Sequence, residues 1–396
     1  MNRRIISVIG ILVIVALMCC SCQDVPKEEP EKEQKEYKVV IIYPDPMDMW
    51  EDVTSGAKKA HAEILNAYPD VSFDLKVFRS EDATMRSFYE IFCREEANGT
   101  DGFCLVMPRD LTWDEEIGDS GWSYWIEMNN EIETFVGQGG HVVTLGIDQV
   151  DPSRFEVDAK LHYFAAPSRE CFVGSDNTLF GRKQAEKAIE IQGGNAKIIF
   201  RGGAYRNPEN ILRRSGIHEV MEENRGSGAE LVDGYCSSPP YGHQYPWNEH
   251  PYIGSENGTG YDPKIQPTQH GSELDIDIEM FEDEWSYLND RDLANTVIGV
   301  SFATNYICDV WKGRGWYDSD TNKDHIAILA EDSPDVIEAV KERLITCTLI
   351  EDRFEWGYQG VKLMYEMISE GFSPEQDHIY TPTYMIDLSN VYDLES

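Results

Sequence analysis

From Tyr37 to the end of the chain, short runs of branched apolar residues alternate with longer, helix-compatible stretches. A strand followed by a helix meets the next strand in parallel, because the helix carries the chain back across the sheet. Strands are expected at Lys38–Tyr43, Ser72–Phe78, Gly102–Met107, His141–Leu145, Cys171–Gly174, Ala196–Arg201, Glu230–Tyr235, Thr296–Phe302 and His325–Ala330. Helices are expected at Glu51–Tyr68, Trp125–Gly137, Leu179–Ile191, Ile211–Asn224 and Asp335–Leu344. The rhythm predicts an α/β fold of parallel sheets with helices on both faces. Over 396 residues, this many strands suit two sheets better than one.

Two segments break the pattern. Cys236–Asp292 is rich in Pro, Gly, Tyr and acid and contains PPYGHQYPWNEHPY, so it reads as an insertion carried by one lobe. Arg109–Tyr124 is a smaller one, with Trp113 and Trp122. The first βα turn, in VVIIYPDPMDMWEDVTSGAKKA, is a place where phosphate loops often sit. It has no glycine, and Asp45 and Asp48 stand where an anion would dock. A phosphate is therefore not the expected occupant.

Charge narrows the partners. With 72 Asp and Glu against 34 Lys and Arg, the net charge is −38, which repels nucleic-acid backbones. Hydrophobic residues make up 41% of the chain, enough for a packed fold rather than a disordered one. Enzyme signatures are absent: there is no G-x-S-x-G, no H-E-x-x-H and no Walker loop.

At the N-terminus, Arg3 and Arg4 precede an apolar run, Ile5–Met18, followed by Cys19, Cys20, Ser21 and Cys22. A basic start, a short apolar core and small residues describe an export signal. A cysteine at its end resembles the lipobox of bacterial lipoproteins, in which the thiol is acylated. Cys22, after the small Ser21, is the expected site, and Cys20, with Leu17 three positions before it, is the rival. QDVPKEEPEKEQKE, residues 23–36, then reads as a charged tether holding a domain outside a membrane. The remaining cysteines, Cys93, Cys104, Cys171, Cys236, Cys308 and Cys347, lack metal-site spacing and read as small buried hydrophobes.

Six segments, in order, resemble one family. SGAKKAHAE is similar to a DGAxxAA helix, and HVVTLGIDQVDPSR to PVVTIDSDxxxSxR. FVGSDNTLFGRKQAEKAI is similar to YVGxDNxxxGxxAAxxL, and ILRRSGIHEVM to xRxxGFxxxL. VSFATNYICDVW is similar to xFAxNDxxAxG, and EDSPDVIEAVKERLITCTLIEDRFEWGYQGVKLM to a late DxxP…Q…G stretch. The family is the periplasmic sugar-binding proteins of ABC transporters, ribose and galactose type. Its fold also forms the effector domain of lactose-repressor-like regulators, a role that an export signal disfavours.

The resemblance implies two doubly wound lobes joined by a three-stranded hinge, the type I periplasmic binding protein fold. The first lobe would comprise 37–174 plus 352–378, and the second 175–351 plus 379–396. A small polar ligand, a sugar above all, would lie between them, and closure would be read by a membrane permease. A ligand-sensing subunit for a membrane kinase or chemoreceptor is the alternative. In either case the chain would bind, with no chemistry and no cofactor.

Implied ligand residues are Asp48, Met49, Trp50, Asp148, Arg213, Asn305, Glu331 and Glu351. Trp50 would be either a stacking platform or the first core residue of its helix. Arg213 would fork ligand oxygens, and Asn305 would both donate and accept. Glu331 stands where the family has Asp, and Glu351 where it often has Gln. Gly146 aligns with the family's sugar-clamping aspartate. With acids at Asp48, Asp148, Glu331 and Glu351, a cationic or amino-bearing ligand is the other reading. Finally, Asp318, Asp320, Asn322 and Asp324 alternate as in half a calcium loop. Lys323 replaces its glycine and Leu329 its last ligand, so a solvated acidic turn competes with calcium.

Overall fold

The computed structural model describes residues 35–45, 47–81, 84–108, 122–148, 168–201, 208–231, 294–300, 306–314 and 326–395. The segments 1–34, 232–293 and 315–325 lie outside it. So, therefore, do Cys20 and Cys22, the Cys236–Asp292 insertion, most of Arg109–Tyr124, and the Asp318–Asp324 acids.

The chain forms two six-stranded sheets. In the first lobe, β1 (Lys35–Tyr43), β2 (Val71–Arg79), β3 (Gly102–Leu105), β4 (His141–Leu145), β5 (Cys171–Ser175) and β11 (His378–Thr381) run in the order β11-β5-β4-β3-β1-β2. Every pairing is parallel. In the second, β6 (Lys197–Arg201), β7 (Glu230–Leu231), β8 (Thr296–Gly299), β9 (Ile326–Leu329), β10 (Cys347–Glu351) and β12 (Thr383–Asp387) run β12-β10-β9-β8-β6-β7. There only the edge strand β12 is antiparallel. The central strands are apolar on both faces, as sheets covered on two sides require: Val39 to Tyr43 and all of β3, β8 and β9 are buried.

Helices α1 (Trp50–Ala67), α2 (Met85–Ala97), α3 (Trp122–Gly137) and α8 (Arg353–Glu370) belong to the first lobe. Helices α4 (Asn177–Gln192), α5 (Pro208–Glu223), α6 (Tyr306–Arg314) and α7 (Pro334–Lys341) belong to the second. No helix among the described residues is long and apolar enough to cross a membrane. Cys104, Cys171, Cys308 and Cys347 are buried free thiols and Cys93 is half-buried.

The chain passes between the sheets three times. From β5, Asp176 caps α4 by accepting from Leu179 N (2.9 Å), and from β10, Asp352 caps α8 by accepting from Glu355 N (3.1 Å). The third passage, β11 to β12, turns at Pro382. β11 therefore still belongs to the first sheet, and the boundary lies beyond the expected His378. β10, β11 and β12 were not among the expected strands. Two of the three pair with strands far away in sequence, β11 with β5 and β12 with β10, so their local pattern is short and weak. α3 begins at Trp122, inside the expected second insertion.

Each lobe is locked by one pair of helices that cross at glycine. A Cβ on Gly56 of α1 would lie 1.9 Å from the Phe354 carbonyl oxygen of α8, and one on Gly357 would lie 1.9 Å from that of Val53. In the second lobe, a Cβ on Gly181 of α4 would lie 1.8 Å from the Arg213 carbonyl oxygen, and one on Gly216 of α5 would lie 2.0 Å from that of Thr178. Backbone on both sides leaves no room for any side chain. Gly181→Ala and Gly357→Ala should each cost roughly 2–3 kcal/mol or more, read as a lowered urea midpoint by circular dichroism. Gly226→Ala, with nothing within 4 Å of its Cβ, should be neutral. Equal midpoints for all three would refute the crossing.

Candidate ligand-binding site

Parallel α/β sheets present their ligand groups at the C-terminal edge, where loops leave the strands. In the second lobe that edge is built around Arg213. The glycine crossing seats its backbone under α4, and its side chain is 2% exposed. Its Nε donates to Asn177 Oδ1 at 2.8 Å, Nη1 to the Val300 carbonyl at 3.0 Å, and Nη2 to Glu351 Oε1 at 2.8 Å. The guanidinium also lies over the Phe180 ring, 4.0 Å from its centroid. Four elements thus meet on one cation: the start of α4, the end of β8, the end of β10, and α5 itself. Asn177 is steadied in turn by donating to the Ser175 carbonyl (3.4 Å).

Glu331 and Arg353 extend this edge toward the first lobe. Arg353, the first residue of α8, donates to both oxygens of Asp332 (2.8 and 2.9 Å), tying the first lobe's helix to the loop after β9. Glu331 in that loop is 7% exposed, and among the described residues its Oε2 has no hydrogen-bond partner. Burial pushes its carboxyl up to about 7, against a lowering hydrogen bond from Ser333. The Glu331 backbone is pinned by Thr348, whose hydroxyl donates to its carbonyl at 2.6 Å.

The first lobe offers different groups. Trp50 is fully buried in its core, stacked on Tyr43 with centroids 5.6 Å apart and planes 8° from parallel. Its indole N–H donates to Asp45 (2.7 Å), so one acid of the opening turn serves to orient the ring. Asp48 is exposed and Met49 half-buried against the core. Asp148 is held in a buried ion pair: Arg169 donates to both its oxygens, from Nη2 at 2.6 Å, and Thr144 adds a bond at 2.7 Å. Arg169 also donates to the Asp377 carbonyl (2.8 Å), so this pair braces the edge formed by β4, β5 and β11.

At Gly146 the structure gives a physical reason for the missing carboxylate. The residue has φ +65°, and a Cβ there would lie 2.3 Å from the Trp356 ring. Trp356 of α8 is fully buried and donates to Thr381 at 3.0 Å, so an indole fills the space a clamp side chain would need.

Of the residues singled out in the sequence, the structure brings Arg213 and Glu351 into direct contact across 138 positions and sets Glu331 on the same edge. Asn305 lies outside the described residues. Asn177, Phe180, Asp332, Arg353 and Trp356 were not singled out. Asn177 and Phe180 lie in the quoted SDNTLFG stretch, which marked a family segment without showing which side chains turn inward. Among the described residues no group of His, Cys, Asp or Glu could hold a metal ion.

No family model matches the chain, and no curated protein matches it by sequence. Solved structures do. A glucose-galactose binding protein from Geobacillus stearothermophilus is 18% identical, with a TM-score of 0.58 over 90% of this chain and 99% of that one. An ABC transporter solute-binding protein from Burkholderia graminis, in complex with D-arabinose, is 15% identical, with a TM-score of 0.60 over 91% and 98%. One from Bacillus halodurans, with bound myo-inositol, is 15% identical, with a TM-score of 0.59 over 92% and 99%. The likeness spans both lobes, and the chain has the two-lobed type I periplasmic binding protein fold.

Proposed function

We propose that this chain is an extracytoplasmic solute-binding lipoprotein that closes its two lobes on a small polar ligand, a sugar, and delivers it to an ABC importer. The observation that carries this reading is the Arg213 cluster. A buried guanidinium is held rigid at the C-terminal edge of the second sheet, and Nη1 and Nη2 each keep a further N–H beyond their bonds to Val300 and Glu351. Such a pre-oriented fork suits ligand oxygens, since little entropy is lost when they dock. The bound arabinose and inositol of structurally similar proteins support a sugar or polyol here. The function is binding and hinge closure rather than turnover.

Anchoring completes the proposal. Acylation at Cys22 (or Cys20), with residues 23–36 as a tether, would hold the lobes beside the permease. Cys22→Ser should move the protein from the membrane fraction to the soluble fraction of the producing bacterium. Retention after both Cys22→Ser and Cys20→Ser would refute the anchor.

Ligand binding is testable by melting temperature, because a solute bound only by the native state raises it. At least one member of a panel of pentoses, hexoses, amino sugars and inositols should do so. Arg213→Ala alone would break the buried ion pair with Glu351, at a cost of about 3–5 kcal/mol in stability. The double variant Arg213→Met, Glu351→Gln removes both charges and should fold. It should bind roughly 30-fold or more weakly, as expected of a buried anchor. No stabilisation by any polar solute, or unchanged affinity in the double variant, would overturn the reading.

A further inference from the structure

Among the described residues, two buried ion pairs stand at the edge of the second lobe. Arg213 is matched by Glu351 and Arg353 by Asp332. Among the described residues Glu331 has no such match: its side chain is buried and its Oε2 has no hydrogen-bond partner. Among the described residues, the groups that face it are Asp332, Ser333 and Asp335 from its own loop and α7, Arg353 from α8, and Cys308 from α6. Arg353 spends its Nη1 on both oxygens of Asp332, and its Nε is itself buried without an acceptor. A buried acceptor left unpaired is costly, and one kept at a binding edge points to a donor that arrives with the ligand.

Two kinds of donor could satisfy Oε2. A neutral hydroxyl suits Glu331 only while it keeps its proton, because beside the ionised carboxylate it would leave an uncancelled charge in a dry setting. An ammonium group both donates and cancels the charge. The net charge of −38 also draws cations to the molecule at long range. Building on the solute-binding reading above, we propose that the ligand is a polyol amine, an amino sugar in its simplest form, with Glu331 as the counter-ion of its ammonium group. Four acids suggested such a ligand in the sequence. The structure pairs two of them, Asp148 and Glu351, with internal arginines and leaves Asp48 exposed, so Glu331 is the one of the four that is buried without an arginine ion pair among the described residues.

The pH dependence has a definite sign. Free of ligand, Glu331 holds its proton up to about 7, and an arriving ammonium displaces it. Affinity for the amine should therefore rise as pH increases through neutrality, with a proton released, and fall again where the ligand's own amine deprotonates.

Calorimetric titration of the whole chain with D-glucosamine, D-galactosamine, D-glucose and D-galactose tests this, at about pH 6 and about pH 8 in buffers of different ionisation enthalpy. The expected result is at least tenfold tighter binding of one amino sugar than of its neutral counterpart, with proton release at about pH 6 that vanishes or reverses at about pH 8. Both should be lost in Glu331→Gln, which is similar in shape and whose folding a melting curve confirms. Binding of neutral sugars without preference for an amine, or a preference that survives Glu331→Gln, overturns the proposal while leaving the solute-binding reading intact. If neither these sugars nor any other polar solute binds, both fall.

Discussion

The contact on which the second lobe's site depends is the crossing of α4 and α5 at Gly181 and Gly216. Because neither glycine carries a side chain, the two backbones approach closely enough for the Arg213 carbonyl to face Gly181 directly. That approach places the guanidinium over Phe180 and within reach of Asn177, both on α4. A wider crossing would carry Arg213 away from Val300 and Glu351 as well. The same device recurs in the first lobe, where Gly56 and Gly357 bring α1 and α8 together. Packed helices behave as single bodies, so each lobe is braced as one unit by its crossing.

Electrostatics divides the two lobes. The first spends its acids on internal structure: Asp45 orients Trp50, and Asp148 braces Arg169 against the β11 edge. Its contribution near the passages is aromatic, with Trp356 packed where Gly146 leaves room. The second collects arginine and glutamate at one sheet edge, with Arg353 of the first lobe reaching across to Asp332. Buried ion pairs of this kind contribute little net stability, because desolvation offsets their attraction. What they supply is a fixed arrangement of donors and charges at the C-terminal edge of the sheet.

Much of the fold was legible from periodicity. The strands from β1 to β9 coincide with expected apolar runs, and α1, α3, α4, α5 and α7 with expected helices, whereas α2, α6 and α8 match none of those named. The quoted segments SGAKKAHAE, FVGSDNTLFGRKQAEKAI, ILRRSGIHEVM and EWGYQG each contain one of the four crossing glycines, which explains physically why those motifs hold glycine. The site was less legible. Arg213 and Glu351 could be named, but as two groups aimed at a ligand rather than at each other. Trp50 could be named, though one of its faces lies against Tyr43. Arg353 and Asn177 carried no local mark, because each matters through partners distant in sequence: Asp332 for the first, Arg213 for the second.

By itself the sequence determined the class of architecture, the net acidity and the candidate export segment. These are properties of local pattern and composition, written into consecutive residues. Only the tertiary structure decided which charges neutralise one another, which acid is left unmatched, and why Gly146 has no side chain. A buried charge is defined by the groups around it, and those come from α4, β8, β10 and α8 at once. No window of the sequence contains that neighbourhood, so no reading of the sequence alone could separate Glu331 from the other acids.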